Sequence, residues 1–337
     1  MTEPLKIGLI GTGRIGQVHA ASIAALPGLA LHWVCDPFLE SAKSTAERFG
    51  GAQVTADPAD VLSSGDVDAV IVASPTPTHV DLIDAAIDAG LPVLCEKPID
   101  LDIERVDGLR EKARRAATPI SLGFNRRFDP HVAELRRRVG AGDIGGLEQL
   151  TITSRDPAPP PGEYVAVSGG IFRDMTIHDF DMARFFVPDI VEVTARGARQ
   201  FSAEIAAEGD YDAAVVTLRG ASGELVTITN SRHSAYGYDQ RIEAFGDAGM
   251  LQVGNVGPTV VRSYGASSVE AQGPYHNFFL ERYSDAYRLE LVAFAAAIRG
   301  DEQTNPGFED GRAALILADA AARSAAEGVS VEIDPNA

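Results

Sequence analysis

The sequence has only two cysteines and one tryptophan in 337 residues, few lysines, and no long uninterrupted apolar run. Each scarcity closes off a class of protein. Cys35 and Cys95 cannot form a disulfide framework or a zinc-ligand spacing. Each ends an apolar run, as a buried free thiol does. Without a long apolar run no membrane-spanning helix is expected, and the N-terminus shows no basic segment followed by an apolar core, so the expectation is a cytoplasmic protein. Lys6, Lys43, Lys97 and Lys112 are the only lysines, so one placed at a strand end stands out. Positive charge is outnumbered altogether, 29 Lys and Arg against 48 Asp and Glu, for a formal net charge of −19. Such a surface repels phosphate backbones, which argues against a nucleic-acid partner. What remains is an ordinary globular composition, 45% hydrophobic and 23% charged, on a chain long enough for two domains.

Two patterns divide the chain. Short, almost wholly apolar runs at 5–10, 31–35, 68–73, 92–95 and 119–123 alternate with helical stretches near 14–25, 38–49, 78–89 and 102–116. That alternation predicts an α/β domain over residues 1–125, a doubly wound parallel sheet of the Rossmann type with helices on both faces. Beyond it, runs at 147–155, 190–201, 211–219, 224–233, 239–246 and 250–253 alternate apolar with polar residues. These predict an α+β domain over 126–337 built on a large open, mainly antiparallel sheet with one solvated face. Helices are expected near 178–187, 284–298 and 308–327, the last a candidate to pack back on the first domain. The Pro-Ala-Pro-Pro-Pro stretch at 157–161 reads as a stiff loop over a cleft.

Gly11-Thr12-Gly13-Arg14-Ile15-Gly16 follows the first strand and opens the first helix. In that setting Gly11 allows a tight turn, Gly13 lets a pyrophosphate approach the backbone, and Gly16 lets helix and strand pack closely. The helix N-terminus adds amide groups and a favourable dipole. Asp36 stands twenty residues past the last glycine, at the end of the second strand. Its carboxylate can accept from both ribose hydroxyls and would repel a 2′-phosphate, so NAD is expected rather than NADP. Arg14 could pair with a phosphate of either cofactor. Ser74-Pro75-Thr76 lies at the same sheet edge, and His79, one turn into the next helix, suits either cofactor contact or capping and packing.

Glu96-Lys97-Pro98 ends a further strand. Lys97 can hydrogen-bond a substrate hydroxyl and help its proton leave, or be a solvated lysine paired with Glu96. Asp174 and His178 are four apart and would share a helix face. An imidazole can take a hydroxyl proton near neutral pH while a carboxylate orients the hydroxyl. Asp174 as a helix cap is the plainer alternative. A metal is not expected, since no third ligand has suitable spacing.

The glycine fingerprint, Glu96-Lys97-Pro98, Gly123-Phe124-Asn125-Arg126-Arg127-Phe128 and the Asp174-x-x-x-His178 pair, in this order, resemble the glucose–fructose oxidoreductase/inositol dehydrogenase family. The runs Ser154-Arg155-Asp156-Pro157, Gly170 to Met182 and Asn277 to Tyr283 resemble the bacterial branch that acts on myo-inositol. The resemblance implies an NAD-dependent oxidoreductase that converts a ring hydroxyl of a cyclic polyol to a ketone. It implies a triad of Lys97, Asp174 and His178, with His178 as base, Asp174 positioning the polyol, and Lys97 stabilising charge on the reacting oxygen. Thr12, Ile15, Ser74, Pro75, Thr76, His79 and Glu96 would join Gly11, Gly13, Arg14, Gly16, Asp36 and Lys97 around the cofactor. Arg127 and Asp156 would line the polyol pocket, with Tyr236 or Tyr238. A homotetramer or homodimer built through the second sheet is expected. A scyllo-inositol or aldose dehydrogenase is the nearest alternative; an NAD-dependent glycosidase and an NAD-binding sensor are more distant.

Overall fold

A computed structural model describes residues 3–301 and 306–334. They form two compact units. The first runs through Phe128 and takes in Asp285–Leu315; the second comprises Asp129–Ser284 and the chain from Ile316 onward. The helix Phe308–Glu327 therefore begins in the first unit and ends in the second, and the helix Ser284–Arg299 belongs almost wholly to the first.

The first unit is built on six strands, β1 (Leu5–Ile10), β2 (Leu29–Cys35), β3 (Gln53–Thr55), β4 (Ala69–Val72), β5 (Val93–Cys95) and β6 (Ile120–Leu122). All pair in parallel, in the order β3-β2-β1-β4-β5-β6. Parallel strands covered on both faces need apolar side chains in both directions. Accordingly all four residues of β4 are fully buried. Helices Arg14–Ala25, Leu39–Arg48, His79–Asp88 and Ile103–Arg115 connect the strands. The three-residue β3 carries one buried residue, Thr55, and left no apolar run for a sequence reading to find.

The second unit holds β7 (Leu147–Arg155), β8 (Ile190–Ala198), β9 (Ala213–Gly220), β10 (Leu225–Ser231), β11 (Asp239–Gly246), β12 (Gly249–Val253), a short hairpin of β13 (Arg262–Ser263) and β14 (Ala271–Gln272), and β15 (Val331–Glu332). Seven of these form one sheet, β12-β11-β7-β10-β9-β8-β15, antiparallel throughout except where β10 runs parallel to β7. Strict alternation of buried and outward residues along β9 shows one face packed and the other open. The packed face lies under helices Pro130–Gly140 and Ile177–Phe186 and the end of Phe308–Glu327, in a core that includes Leu135, Ile152, Phe180, Val216, Ile228 and Leu317. Each such side chain contributes roughly 1.5–3 kcal/mol by leaving water.

Helix Pro130–Gly140 is absent from the sequence-based expectation, although its start signal is clear in retrospect. Asp129 accepts from the amides of His131 and Val132, with Pro130 at the first helical position. Only Val132 and Leu135 of this Arg-rich helix are buried, so its apolar period is faint. The stretch after Asp156 holds no regular element until a short helix, Gly162–Ser168. Both cysteines are buried free thiols. Burial, with Asp36 nearby, pushes the Cys35 thiol up to about 12, and burial raises that of Cys95 as well.

Candidate active site

In the first unit the strand register brings the sequence motifs to one edge. Cys35, Ile10, Val72, Cys95 and Leu122 pair in turn across five strands. The residues that follow this row, namely Asp36, Gly11, Ala73-Ser74, Glu96-Lys97 and Gly123, therefore all emerge at the carboxyl edge. With strands about 4.8 Å apart, Lys97 is two strands, or about 10 Å, from the glycine turn. The order reverses between β1 and β4, where open α/β sheets bind their ligands.

Each glycine of the turn has a separate task. Gly11 has φ +99°, and a Cβ there would lie 2.5 Å from the carbonyl carbon of Ala73 and the nitrogen of Ser74. A Cβ on Gly16 would lie 2.1 Å from the Gly11 carbonyl oxygen. A Cβ on Gly13 would meet nothing within 4 Å, so the backbone is open to a ligand at that point. Gly13 caps helix Arg14–Ala25 without a side-chain hydrogen bond, and no acidic residue occupies the first turn. The helix end thus offers amides to a pyrophosphate. Arg14 is exposed beside it, with Ile15 partly buried behind. Asp36 is held ready: Oδ2 accepts from the Thr12 amide at 2.9 Å and hydroxyl at 2.7 Å, and Oδ1 accepts from the Phe38 amide at 2.9 Å. Cradle, amides and fixed carboxylate fit a dinucleotide with a free ribose diol.

Two residues expected at the cofactor have side chains bonded within the fold, as the packing alternative for His79 allows. His79 is buried, with Nδ1 2.7 Å from the Pro98 carbonyl oxygen and Nε2 2.8 Å from that of Ser74. Both ring nitrogens are thus taken by backbone, tying the Ser74-Pro75-Thr76 turn to the segment after Lys97. The turn itself is closed by a 2.6 Å hydrogen bond between the Ser74 and Thr78 hydroxyls. Glu96 is also buried, and its Oε1 accepts from His19 Nε2 at 2.8 Å. Its other oxygen explains Gly123, where a Cβ would come within 2.8 Å of Glu96 Oε2. Behind this pair the ring of Tyr287 stands edge-on to His19, and Glu290 is buried. Burial, with Glu96 nearby, raises the Glu290 carboxyl well above the usual range. Lys97 is half-buried at the end of this ordered segment.

The second unit carries Asp174 and His178, and their backbone differs from the regular helix that the sequence suggested. Residues Phe172–Thr176 form a π turn that leads into the α-helix Ile177–Phe186. Such turns gather at functional sites. Asp174 Oδ1 accepts from the Tyr164 hydroxyl at 2.8 Å and Oδ2 from Arg232 Nη1 at 3.1 Å. His178, partly exposed, is fixed by its neighbours in sequence. Asp179, fully buried, accepts from the Ser154 hydroxyl at 2.6 Å and from Asn230 Nδ2 at 2.7 Å. The Thr176 hydroxyl donates to Asn230 Oδ1 at 2.7 Å. Gln240, Ser154 and Asn230 lie side by side across β11, β7 and β10, so one row of the sheet bolts the helix down on both sides of His178.

The remaining expected pocket residues divide. Arg127 is buried in the first unit with Nη2 on Asp310 at 2.9 Å, and this pairing braces the start of helix Phe308–Glu327. Asp156 is partly exposed just past β7, its amide bonded to the Ser231 carbonyl at 2.9 Å. Tyr236 is exposed, and its hydroxyl accepts from Arg155 and donates to Asp239, each at 2.6 Å. Tyr238 is buried edge-on against Tyr283. Sequence reasoning missed Arg232, Tyr164, Asp179, Ser154 and Asn230. A Ser, an Asn and an Asp inside otherwise apolar buried stretches were the available signal. Among the described residues no group of three or more His, Cys, Asp or Glu side chains could hold a metal ion. No helix among them is long and apolar enough to cross a membrane.

The geometry has relatives of known identity. A family model described as "Oxidoreductase family, NAD-binding Rossmann fold" matches residues 5–124, and one described as "GFO/IDH/MocA C-terminal domain" matches residues 132–252. An inositol 2-dehydrogenase of Rhizobium meliloti (strain 1021) is 44% identical over 98% of this chain and 99% of its own. A myo-inositol 2-dehydrogenase of Thermotoga maritima is 42% identical over 98% of this chain and 99% of its own. The crystal structure of a myo-inositol dehydrogenase from Corynebacterium glutamicum ATCC 13032 superposes with a TM-score of 0.95, at 57% identity, covering 98% of this chain and 99% of that one. With its parallel NAD-binding sheet and its mixed seven-stranded sheet both matched, the chain belongs to the GFO/IDH/MocA family of NAD-binding oxidoreductases.

Proposed function

We propose that the protein oxidises a ring hydroxyl of a cyclic polyol to a ketone with NAD, and that its substrate is myo-inositol, giving 2-keto-myo-inositol. The observation that carries this reading is the sheet row that sets Lys97 on the same carboxyl edge as the glycine turn and Asp36. Full-length similarity to the inositol dehydrogenases named above supports the choice of polyol. Gly11 to Gly16, Asp36 and the Ser74-Pro75-Thr76 turn would hold the dinucleotide, which when bound supplies the acceptor for the carbon-bound hydrogen.

The chain's own residues do the rest. His178 takes the proton of the reacting hydroxyl, as a base placed within hydrogen-bond reach does. Asp174 accepts from a hydroxyl of the polyol and fixes its ring orientation. The Lys97 ammonium donates to the reacting oxygen and offsets the negative charge that grows there as the proton leaves.

A panel of inositol isomers, aldoses and glycosides, followed by NADH absorbance with NADP in parallel, tests it. The expected result is NADH formation highest with myo-inositol and little activity with NADP. Preference for scyllo-inositol or an aldose would correct the substrate, and glycoside cleavage without NADH would replace the reaction. Asp36→Ala, run alongside, is expected to weaken NAD and raise the relative use of NADP; an unmoved preference would refute the ribose contact.

We further propose that a second copy covers the open face of the second sheet, in a homodimer or homotetramer. Leu225, Gln149, Phe245 and Met250 pair in one row across four strands, and the three apolar members are each 43–53% exposed. An apolar row of that kind marks a protein contact. Leu225→Asp with Phe245→Asp should lower the mass measured by light scattering; an unchanged mass would exclude this face. A cytoplasmic setting fits the same reading, because NAD and unpaired thiols belong there, and cell fractionation checks it.

A further inference from the structure

Arg232, just past the end of β10, is among the largest fully buried side chains, at 1% exposure. A guanidinium keeps its charge, so its burial demands carboxylate partners. Two are present. Nη1 donates to Asp174 Oδ2 at 3.1 Å, and Nη2 lies 3.7 Å from Asp210 Oδ2. The other oxygen of Asp210 accepts from the Ile171 amide at 3.0 Å, where the stretch that carries Asp174 begins. The chain is shaped around this carboxylate: Gly170 has φ +81°, and a Cβ there would lie 2.8 Å from Asp210 Oδ1. Arg232 thus spans from the residue that starts the helical stretch to the residue expected to bind the polyol.

The two oxygens of Asp174 have unlike partners. Oδ2 rests on a buried and permanent cation. Oδ1 accepts from Tyr164, a residue 48% exposed on the short helix Gly162–Ser168. We infer that Arg232 is a positioning residue for the oxidation: it holds Oδ2, so that Oδ1 alone is presented to a polyol hydroxyl, which takes the place of the Tyr164 hydroxyl. This rests on the reading of Asp174 as the polyol-binding group. Arg232 itself touches neither substrate nor cofactor in this role. The guanidinium lies between two carboxylates as a rigid planar fork; a lysine at the same position keeps the charge and loses that fixed geometry.

Steady-state kinetics on the best polyol of the panel test the inference with Arg232→Lys, Asp174→Asn, the double variant and Tyr164→Phe. Arg232→Lys is expected to raise the polyol KM by roughly tenfold to a hundredfold, with a smaller effect on kcat and an NAD KM moved by no more than about twofold. A merely structural role would instead reduce the active fraction, lowering apparent kcat at an unchanged KM, and that result would overturn the inference. In the Asp174→Asn background the Arg232→Lys penalty should largely vanish, since residues acting through one contact are not additive; a penalty persisting in full would also overturn it. Tyr164→Phe, an exposed change that keeps the testing possible if Arg232→Lys does not fold, should lower the polyol KM by roughly twofold or more. A raised KM there would refute the exchange at Oδ1. If Asp174→Asn is itself without effect, the functional reading of Asp174 fails and the inference with it. If Asp174→Asn impairs the enzyme and Arg232→Lys does not, the inference alone fails.

Discussion

Lys97→Ala is expected to reduce turnover by roughly 10²–10³-fold, the usual worth of one donor aimed at developing negative charge, while NAD affinity changes by no more than about twofold. The contrast follows from how the residue is mounted. Lys97 comes directly after Glu96, which is buried and bonded to His19, and before the segment that His79 ties back to Ser74. The bracing groups remain in the variant, so the glycine turn and Asp36 keep their geometry and the dinucleotide site survives. What is lost is the ammonium, and with it the offset to charge on the reacting oxygen. Calorimetric titration with NAD and kinetics with the preferred polyol read the two effects separately. Turnover close to that of the parent protein would remove Lys97 from the reaction, and the proposed triad would fall with it.

Gly16→Val and Gly13→Ala should both abolish NAD binding, for opposite reasons. At Gly16 the first added carbon would sit 2.1 Å from the Gly11 carbonyl oxygen. Gly11 cannot retreat, because its own position is packed against the backbone of Ala73 and Ser74. Helix and strand must part, at a cost of about 1–3 kcal/mol or more for forced overpacking, and the melting temperature should fall by several degrees. At Gly13 a methyl group meets no protein atom within 4 Å, and φ of −63° suits any residue. Stability should therefore change by no more than about 1 kcal/mol, yet the methyl would stand where the pyrophosphate approaches. Thermal melts and NAD titration on the two variants separate the effects. A Gly13→Ala protein that binds NAD normally would show that the open face of the turn is not the phosphate site.

The parallel sheet and the dinucleotide turn were legible in the sequence because their physical requirements are local. Continuous apolar runs mark strands covered on both faces, and three glycines with an acid twenty residues on mark a turn that must be small at three points. The open sheet was legible in β9 for the complementary reason, its strict alternation. What could not be read are contacts between residues distant in sequence. Asp179 meets Ser154 and Asn230, 25 and 51 residues away; alternation puts those two on the buried faces of Leu150-Ile152 and Val226-Ile228 but does not say what they meet there. Arg232 follows Asn230 in the same alternation, and nothing near it in sequence announces Asp174 or Asp210. Glu96, His79 and Arg127 show the complementary case. Each suits a ligand contact in sequence, and each side chain is bonded within the fold, to His19, to backbone carbonyls and to Asp310. A motif records that a polar residue is needed; it does not record whether the need is for the ligand or for the scaffold beneath.

The π turn at Phe172–Thr176 has a bearing on how this enzyme could have come about and how it could be undone. A wide turn holds one residue more than an α-helical path over the same rise, and each residue on an α-helix turns the chain by about 100°. Deleting a single residue from this stretch would let it close into an ordinary helix. The fully buried Asp179 and Phe180, which anchor the following turns, would hold their places. The turns on either side would keep their phase, because the wide turn absorbs the extra residue locally, and the residues inside it, Asp174 among them, would be re-aimed away from the Tyr164 and Arg232 contacts now made. Substitutions in this stretch can be absorbed one side chain at a time, whereas the loss of one residue would re-aim every side chain inside the turn together.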